Sequence, residues 1–309
     1  MRSRIGALPA CGVQRSVRDD SWLSRPSGRR ASEIERQSMR GPTMNKSLVQ
    51  QQFGAHAAAY ATSTVHAKGA SLGRLLELVQ PQADWQALDI ATGAGHTAAA
   101  FAPHVAHVIA SDITAEMLAE ARKLTAARGF ANMEVATADA EALPFPDARF
   151  DLVTSRIAPH HFPDVPQFVR EVHRVLRPGG TFALVDNISP DALSTPGFPA
   201  TALADAAAAY NTFEKLRDKS HGRCLGLAEW TDVIAEAGLE VQHREILPKA
   251  MEFAPWVERM DVDATTVARL RKMLEDGTPA LKAFLKPSID GGALWFKLDE
   301  AIVIARKPA

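Results

Sequence analysis

Leu88-Asp89-Ile90-Ala91-Thr92-Gly93-Ala94-Gly95-His96 is the stretch whose reading decides the fold. A short apolar run, Ala87 to Ile90, carries one acid, Asp89, and ends in a glycine turn. An Ala-rich segment of helical character, Thr97 to Ala102, follows. Strand, glycine turn and helix in that order bring bare backbone close to a nucleotide-like ligand. Gly93 and Gly95 permit positive φ and remove the side chains that would block approach. A helix behind the turn offers the free N–H groups of its first turn.

Working outward, residues 70–187 alternate strand and helix with short connections. Leu72, Leu75, Leu76 and Val79 recur at helical spacing, and Pro81 stops that helix. After the glycine turn, Val105–Ala110 reads as a second strand running to Asp112. Thr114 is placed to cap the next helix, with Met117, Leu118, Ala121 and Leu124 on its apolar face and Gly129 closing it. Met133–Thr137 is a third strand, ending in Ala138-Asp139-Ala140. A Pro-rich loop at 143–148 leads to a fourth, Phe150–Ser155. Asp164 caps a helix whose Val165, Phe168, Val169, Val172, Val175 and Leu176 share one face. Arg177-Pro178-Gly179-Gly180 reads as a turn, and Thr181–Val185 as strand five. The alternation predicts a parallel sheet with helices on both faces. Ligands of such sheets sit at the carboxyl ends of the strands, near the switch point. Asp89, Asp112, Asp139 and Arg156 all lie at or near predicted strand ends.

Beyond residue 190 the chain changes character. Ala200–Arg217 is a helix, followed by the polar cluster 213–223, most simply a solvated face. Trp230, Val233 and Ile234 mark another helix, ended by Gly238. Leu239–Ile246 and Ala301–Arg306 read as two further strands. The roughly 50 residues between them are most simply a cap over the open sheet edge. No internal repeat is visible.

The 309 residues are 46% hydrophobic and 23% charged with a net charge of −1, ordinary globular composition. The balance is uneven: residues 1–44 carry a net +5 and the rest −6, which argues against tight binding to nucleic acid. Two cysteines, Cys11 and Cys224, make no disulfide framework and point to a reducing compartment, so the expected location is cytoplasmic. No apolar run reaches the length of a membrane span. His221 and Cys224 are too isolated to ligate a metal. The first 44 residues hold nine Arg and seven Ser without periodicity. They read as a disordered extension, as an organelle transit peptide (against which Asp19, Asp20, Glu33 and Glu35 count), or as an over-called start with Met44 as initiator. A homodimer is compatible with all of this.

The glycine turn alone leaves the ligand open. Gly93-x-Gly95-x-x-Ala98 satisfies the dinucleotide pattern, with Asp112 at the spacing of a ribose-binding acid. An NAD(P)-dependent oxidoreductase is therefore one reading. Asp89 opposes it, since it would repel a pyrophosphate and welcome an amino group. Asp139-Ala140 and Leu176-Arg177-Pro178-Gly179-Gly180 have no role in that scheme either.

With those pieces in place the chain resembles the class I S-adenosylmethionine-dependent methyltransferases, in the group that includes ubiquinone and menaquinone biosynthesis enzymes. Residues 88–96 resemble the first motif, 110–118 the segment with the ribose acid, 138–153 the adenine segment and fourth strand, and 176–182 the turn before the fifth. The resemblance implies a Rossmann-like seven-stranded sheet with its last strand antiparallel, helices on both faces and helical cap insertions. Residues 45–309 would form that domain, with an N-terminal arm at 45–69 and cap or substrate regions at 190–227 and 247–297. It implies S-adenosylmethionine as methyl donor and a small-molecule acceptor, methylated on C or O rather than N. A catalytically silent S-adenosylmethionine-binding protein of the same fold is a third reading.

By position, the resemblance assigns Asp89 and the backbone of Ala91, Thr92, Gly93 and Gly95 to the methionine end, the acid facing the ammonium. Asp112 accepts the ribose hydroxyls, and Ile113 or Met117 packs on the adenine. Asp139 accepts from the adenine amino group and Ala140 N–H donates to the ring. Arg156 borders donor and acceptor, and Tyr60 and His66 belong to an arm that closes over them. His160 and His161, just past strand four, are candidate bases because imidazole titrates near working pH, although packing or capping is the simpler role. Tyr210, Glu214, Arg217 and His221 are candidates for the acceptor pocket. Asp151 begins its strand and reads as structural.

Overall fold

The computed structural model describes residues 46–62 and 69–309, all within one compact unit. The expectations for residues 1–44 and for His66 lie outside the described residues, as does the side chain of Tyr60. Helix α1 (Lys46–Thr62) comes first, then α2 (Ala70–Val79), whose Leu72, Leu75 and Val79 are buried as their spacing predicts. The nucleotide-binding half follows as β1 (Gln86–Ile90), α3 (His96–Phe101), β2 (His107–Asp112), α4 (Ala115–Arg128) and β3 (Met133–Thr137). β4 (Phe150–Arg156), α5 (Val165–Val175) and β5 (Leu176–Asn187) continue the alternation.

The remaining elements are α6 (Ala200–Arg217), α7 (Leu227–Glu236), β6 (Glu240–Glu252), α8 (Phe253–Glu258), α9 (Ala264–Asp276), α10 (Pro279–Leu285), β7 (Ser288–Asp290) and β8 (Ala293–Arg306). The sheet runs β3-β2-β1-β4-β5-β8-β6, with the short β7 paired to β8 as an eighth strand. β1 to β5 are mutually parallel, and β8 is antiparallel to both β5 and β6. This is the expected seven-stranded path with its last strand reversed, plus the β7 hairpin. β1 and β4 are buried along nearly their whole length because helices cover both faces.

Local chemistry explains most boundaries. The Asp164 side chain accepts the Gln167 N–H at 2.9 Å, and the apolar face of α5 that follows is buried. Thr114 occupies the N-cap position of α4 without making a side-chain cap. β2 starts two residues later than predicted, because Ala106 and His107 N–H both turn to the Trp85 carbonyl. The expected turn at Arg177–Gly180 is instead a bulge within β5: Phe150 pairs with Leu176, and Leu152 then pairs with Thr181. A Cβ at Gly180 would stand 2.9 Å from the Arg177 carbonyl oxygen, so the bulge needs that glycine.

β6 and β8 are longer than predicted. Their register continues from Glu240–Arg306 out to Glu252–Trp295, so the pair projects past the end of β5, whose pairing with β8 stops at Asn187–Glu300. Residues 247–252 and 293–297, expected in the cap, are strand. The cap proper has its own apolar core, in which Trp256, Phe213, Phe284, Leu270 and Phe296 meet. The sheet core is separate, built on Leu88, Val153, Phe168, Phe182 and Trp230.

Candidate functional site

The chain runs from β1 outward to β3, then returns to β4 on the other side, so the switch point falls between β1 and β4. Both strands leave the sheet there through a left-handed residue that is not glycine, Ala91 (φ 53°) and Ile157 (φ 55°). A β-branched residue at positive φ is a rare, strained conformation of the kind concentrated at functional sites. Above these two residues lies a cleft of about 1040 Å³ of atom-free space, partly open to solvent. That is ample for a nucleoside-sized ligand.

Ala91, Thr92, Gly93, Asp112, Ile113, Met117, Asp139, Ala140 and Arg156 all line it. Asp112, at the end of β2, accepts the Gly93 N–H (2.9 Å) on one oxygen and the Thr114 N–H (2.8 Å) on the other. Burial nevertheless raises its pKa, the backbone N–H groups opposing. Each oxygen keeps a second lone pair for a ligand hydroxyl. Gly93 faces open space: a Cβ there would meet only Met117 Sδ, at 4.0 Å.

Asp89 takes a place that corrects its expected role. Its carboxylate lies beneath the turn, 1% exposed, and does not line the cleft. One oxygen accepts from Thr154 Oγ1 (2.6 Å), the other from Thr92 Oγ1 (2.6 Å) and the Ala98 N–H (3.2 Å). Burial raises its pKa to about 6 against these three donors. Asp89 therefore ties β1, the turn and α3 together rather than facing an ammonium. The turn's own N–H groups are also engaged: Gly93 by Asp112, Gly95 by the Thr92 carbonyl, Ala99 by the Gly95 carbonyl. The Gly93 and Gly95 N–H groups of the expected row of donors are thus taken within the chain.

Asp139 shares Lys46 with Glu141: Nζ lies 2.6 Å from the first carboxylate and 2.7 Å from the second. Lys46 opens α1, whose Val49 and Phe53 also line the cleft. Gln50 Nε2 donates to the Ile113 carbonyl (2.9 Å), and Phe53 meets the His161 ring edge-on at 4.9 Å. The arm thus covers the cleft, through Lys46 and Phe53 rather than through residues singled out in sequence. Nothing local marks these two, since their partners lie far along the chain.

Arg156 lines the cleft and donates from Nε to Thr97 Oγ1 at 3.0 Å. His160 and His161 stand on a one-turn helix (Pro159–His161), both buried. His160 Nδ1 pairs with Asp186 Oδ1 at 2.6 Å, and His161 Nδ1 lies 3.0 Å from the Ser220 carbonyl. His161 borders the cleft; His160 lies behind it. The polar cluster 213–223 is not a solvated face. Glu214, Asp218, Ser220 and His221 are buried, because α6 and the loop after it fold back onto these histidines. Tyr210 is buried one turn earlier on α6. Arg217 departs from the pocket: it donates to the Trp256 carbonyl (2.9 Å) and lies over that ring, inside the cap. Asp151 accepts the Gln86 N–H and the Arg177 guanidinium, a structural pairing as predicted.

Comparison with known proteins adds a consistent picture. A methyltransferase domain family matches residues 88–184. An uncharacterised methyltransferase of Bacillus subtilis, YcgJ, is 36% identical over 207 residues, covering 67% of this chain and 78% of that protein. The demethylmenaquinone methyltransferase of Thermus thermophilus is 37% identical over 115 residues, 37% of this chain and 52% of its own length. A solved Bacillus halodurans structure assigned as a methyltransferase superposes with a TM-score of 0.71 at 35% identity, over 78% of this chain and all of the other.

Proposed function

Because this chain belongs to the class I S-adenosylmethionine-dependent methyltransferases, we propose that it transfers a methyl group to a small-molecule acceptor held at the carboxyl edge of its sheet. Residues 45–309 act as the methyltransferase domain. The family's methyl donor displaces the NAD(P) reading. The single observation that carries the site assignment is convergence: the glycine turn, Asp112, Asp139 and Ala140 line one cleft, though they lie on separate strand ends.

The residues present fit the donor. Two carboxylates stand where hydroxyl and amino donors need acceptors, the turn is bare at Gly93, and Ile113 and Met117 supply apolar surface for a ring. Asp112 accepts the ribose hydroxyls. Asp139 accepts from the adenine amino group while Lys46 balances its charge, and Ala140 N–H donates to the ring. The backbone of Ala91–Gly95 holds the methionine end, and Arg156 borders donor and acceptor.

Bound S-adenosylmethionine supplies a methyl group already activated on a sulfonium. The chain's own contribution is alignment at near-attack distance, worth up to about 7–11 kcal/mol in favourable cases. α1 over the cleft excludes water from the aligned pair. The relative named as a demethylmenaquinone methyltransferase and the cover that α1 gives the cleft support a small acceptor.

Calorimetry on Asp112→Asn tests the assignment. The variant keeps an acceptor for one backbone N–H but loses the charge, and should bind S-adenosylmethionine at least tenfold more weakly with its fold intact. Unchanged affinity would remove Asp112 from the site. In the same assay NADP should leave the melting temperature unmoved while S-adenosylmethionine raises it.

A further inference from the structure

Behind the cleft wall lies a group of buried polar side chains that the donor site does not use. Asp186, near the end of β5, pairs with His160 Nδ1, and its strand neighbour Val185 is in register with Arg156 at the cleft. The His161 and His221 rings lie 4.2 and 5.6 Å from the His160 ring. Glu214 and Tyr210, one turn apart on α6, close the group from the cap side. His160 acts electrostatically on Glu214, and Tyr210 feels both Glu214 and Asp186.

Two carboxylate oxygens here, Asp186 Oδ2 and Glu214 Oε1, are buried without a hydrogen-bond partner among the described residues. Tyr210 Oη has nothing better than the weak Cys224 thiol beside it. A buried oxygen left unsatisfied is costly, and such groups are kept where something else supplies the donor. His160 Nε2 also carries no hydrogen bond among the described residues, while Nδ1 is fixed by Asp186. A ring nitrogen oriented by a buried carboxylate, with the other nitrogen left over, is the arrangement of a general base.

We propose that this group is the acceptor's polar subsite, that it takes a hydroxyl or amine through its N–H or O–H donors, and that His160 is the base. The proposal rests on the methyltransferase reading. As the bond from acceptor heteroatom to methyl carbon forms, the bond from sulfur to that carbon breaks and its electron pair stays on sulfur. The acceptor's proton moves to His160 Nε2, and Asp186 balances the charge that arrives. No further reactant is needed. A carboxylate acceptor is disfavoured, since it would face Asp186 and Glu214 with like charge.

The test uses the full chain saturated with S-adenosylhomocysteine and three probes: catechol, benzylamine and benzoate. Catechol or benzylamine should bind by calorimetry and shift the His160 imidazole nitrogen signals; which of them does so separates hydroxyl from amine acceptors. Benzoate should do neither. Glu214→Gln and Asp186→Asn, both nearly isosteric, should weaken that binding at least tenfold while S-adenosylhomocysteine affinity stays within twofold. Equal probe binding by wild type and Glu214→Gln, equal binding of benzoate, or no binding of either donor probe overturns the subsite. Failure of S-adenosylhomocysteine itself to bind overturns the methyltransferase reading together with it.

Discussion

The charge state of each histidine near the cleft follows from what its ring is buried against. Burial, then the neighbouring His160, pulls His161 down to about 4, while Asp218 and the Ser220 carbonyl act the other way. Burial also works against the His160 cation, but Asp186, Glu214 and Asp218 outweigh it and the pKa is raised. An unfolded chain protonates His161 near 6.5, whereas the native protein does so only near 4. Between those values the unfolded state binds more protons, so the His161 contribution to stability is lost as pH falls through the window, at about 1.4 kcal/mol per pH unit. Asp89 opposes it. Its native pKa of about 6 exceeds its unfolded 3.8, so its contribution is present at low pH and lost as pH rises through 6. The difference between proteins isolates the histidine: in urea unfolding the stability of wild type minus that of His161→Gln should shrink by about 1.4 kcal/mol per pH unit as pH falls from 6.5 to 4.5. Parallel curves would mean that His161 is protonated in the native state.

At the scale of elements, the two glycines of the turn have different duties. Gly95 (φ 88°) closes against α4 and β3, where a Cβ would lie 3.1 Å from Ala121 Cβ and 3.2 Å from Met133 Cε. Gly93 (φ 55°) has only Met117 near it, on the cleft side. Gly95→Ala should therefore lose about 2–4 kcal/mol by thermal unfolding, from the left-handed backbone plus overpacking. Gly93→Ala should cost about 1–2 kcal/mol, the left-handed penalty alone, and should weaken S-adenosylmethionine binding. Equal destabilisation by both would contradict this division. The turn itself was legible from its glycines, but their division of labour was not, since it depends on how closely α4 and β3 approach each of them. The β5 bulge is a similar case. Pro-Gly-Gly signals a turn locally, and the pairing of Phe150 with Leu176 overrides it.

Across the whole molecule, the separate cap core divides stability from donor binding. Trp256 stacks on Phe213 (4.9 Å, 12°), meets Phe296 edge-on and lies under Arg217. Trp256→Ala should lower stability by about 3–5 kcal/mol. The donor cleft draws its lining from Lys46 to Pro163 and none from the cap. S-adenosylmethionine affinity should thus stay within threefold by calorimetry at a temperature where the variant is folded. A parallel loss of affinity would show the two regions to be one cooperative unit.

The succession of strands and helices, the helix faces, the reversed last strand and the positions along the chain of two cleft acids, Asp112 and Asp139, were determined by the sequence alone. Periodicity, capping and turn chemistry act between residues a few positions apart, and the resemblance to a known family supplied the reversed strand. What the tertiary structure decided is which way the acids point and what the polar cap segment meets. Asp89 turned inward because Thr154, 65 residues away, offers it a hydroxyl. Lys46 reached Asp139 across 93 residues, and Asp186 reached His160 across 26. The stretch 213–223 reads as solvated until α6 packs on the histidines. Such pairings depend on which faces of the sheet, arm and cap come together, and no local pattern encodes that.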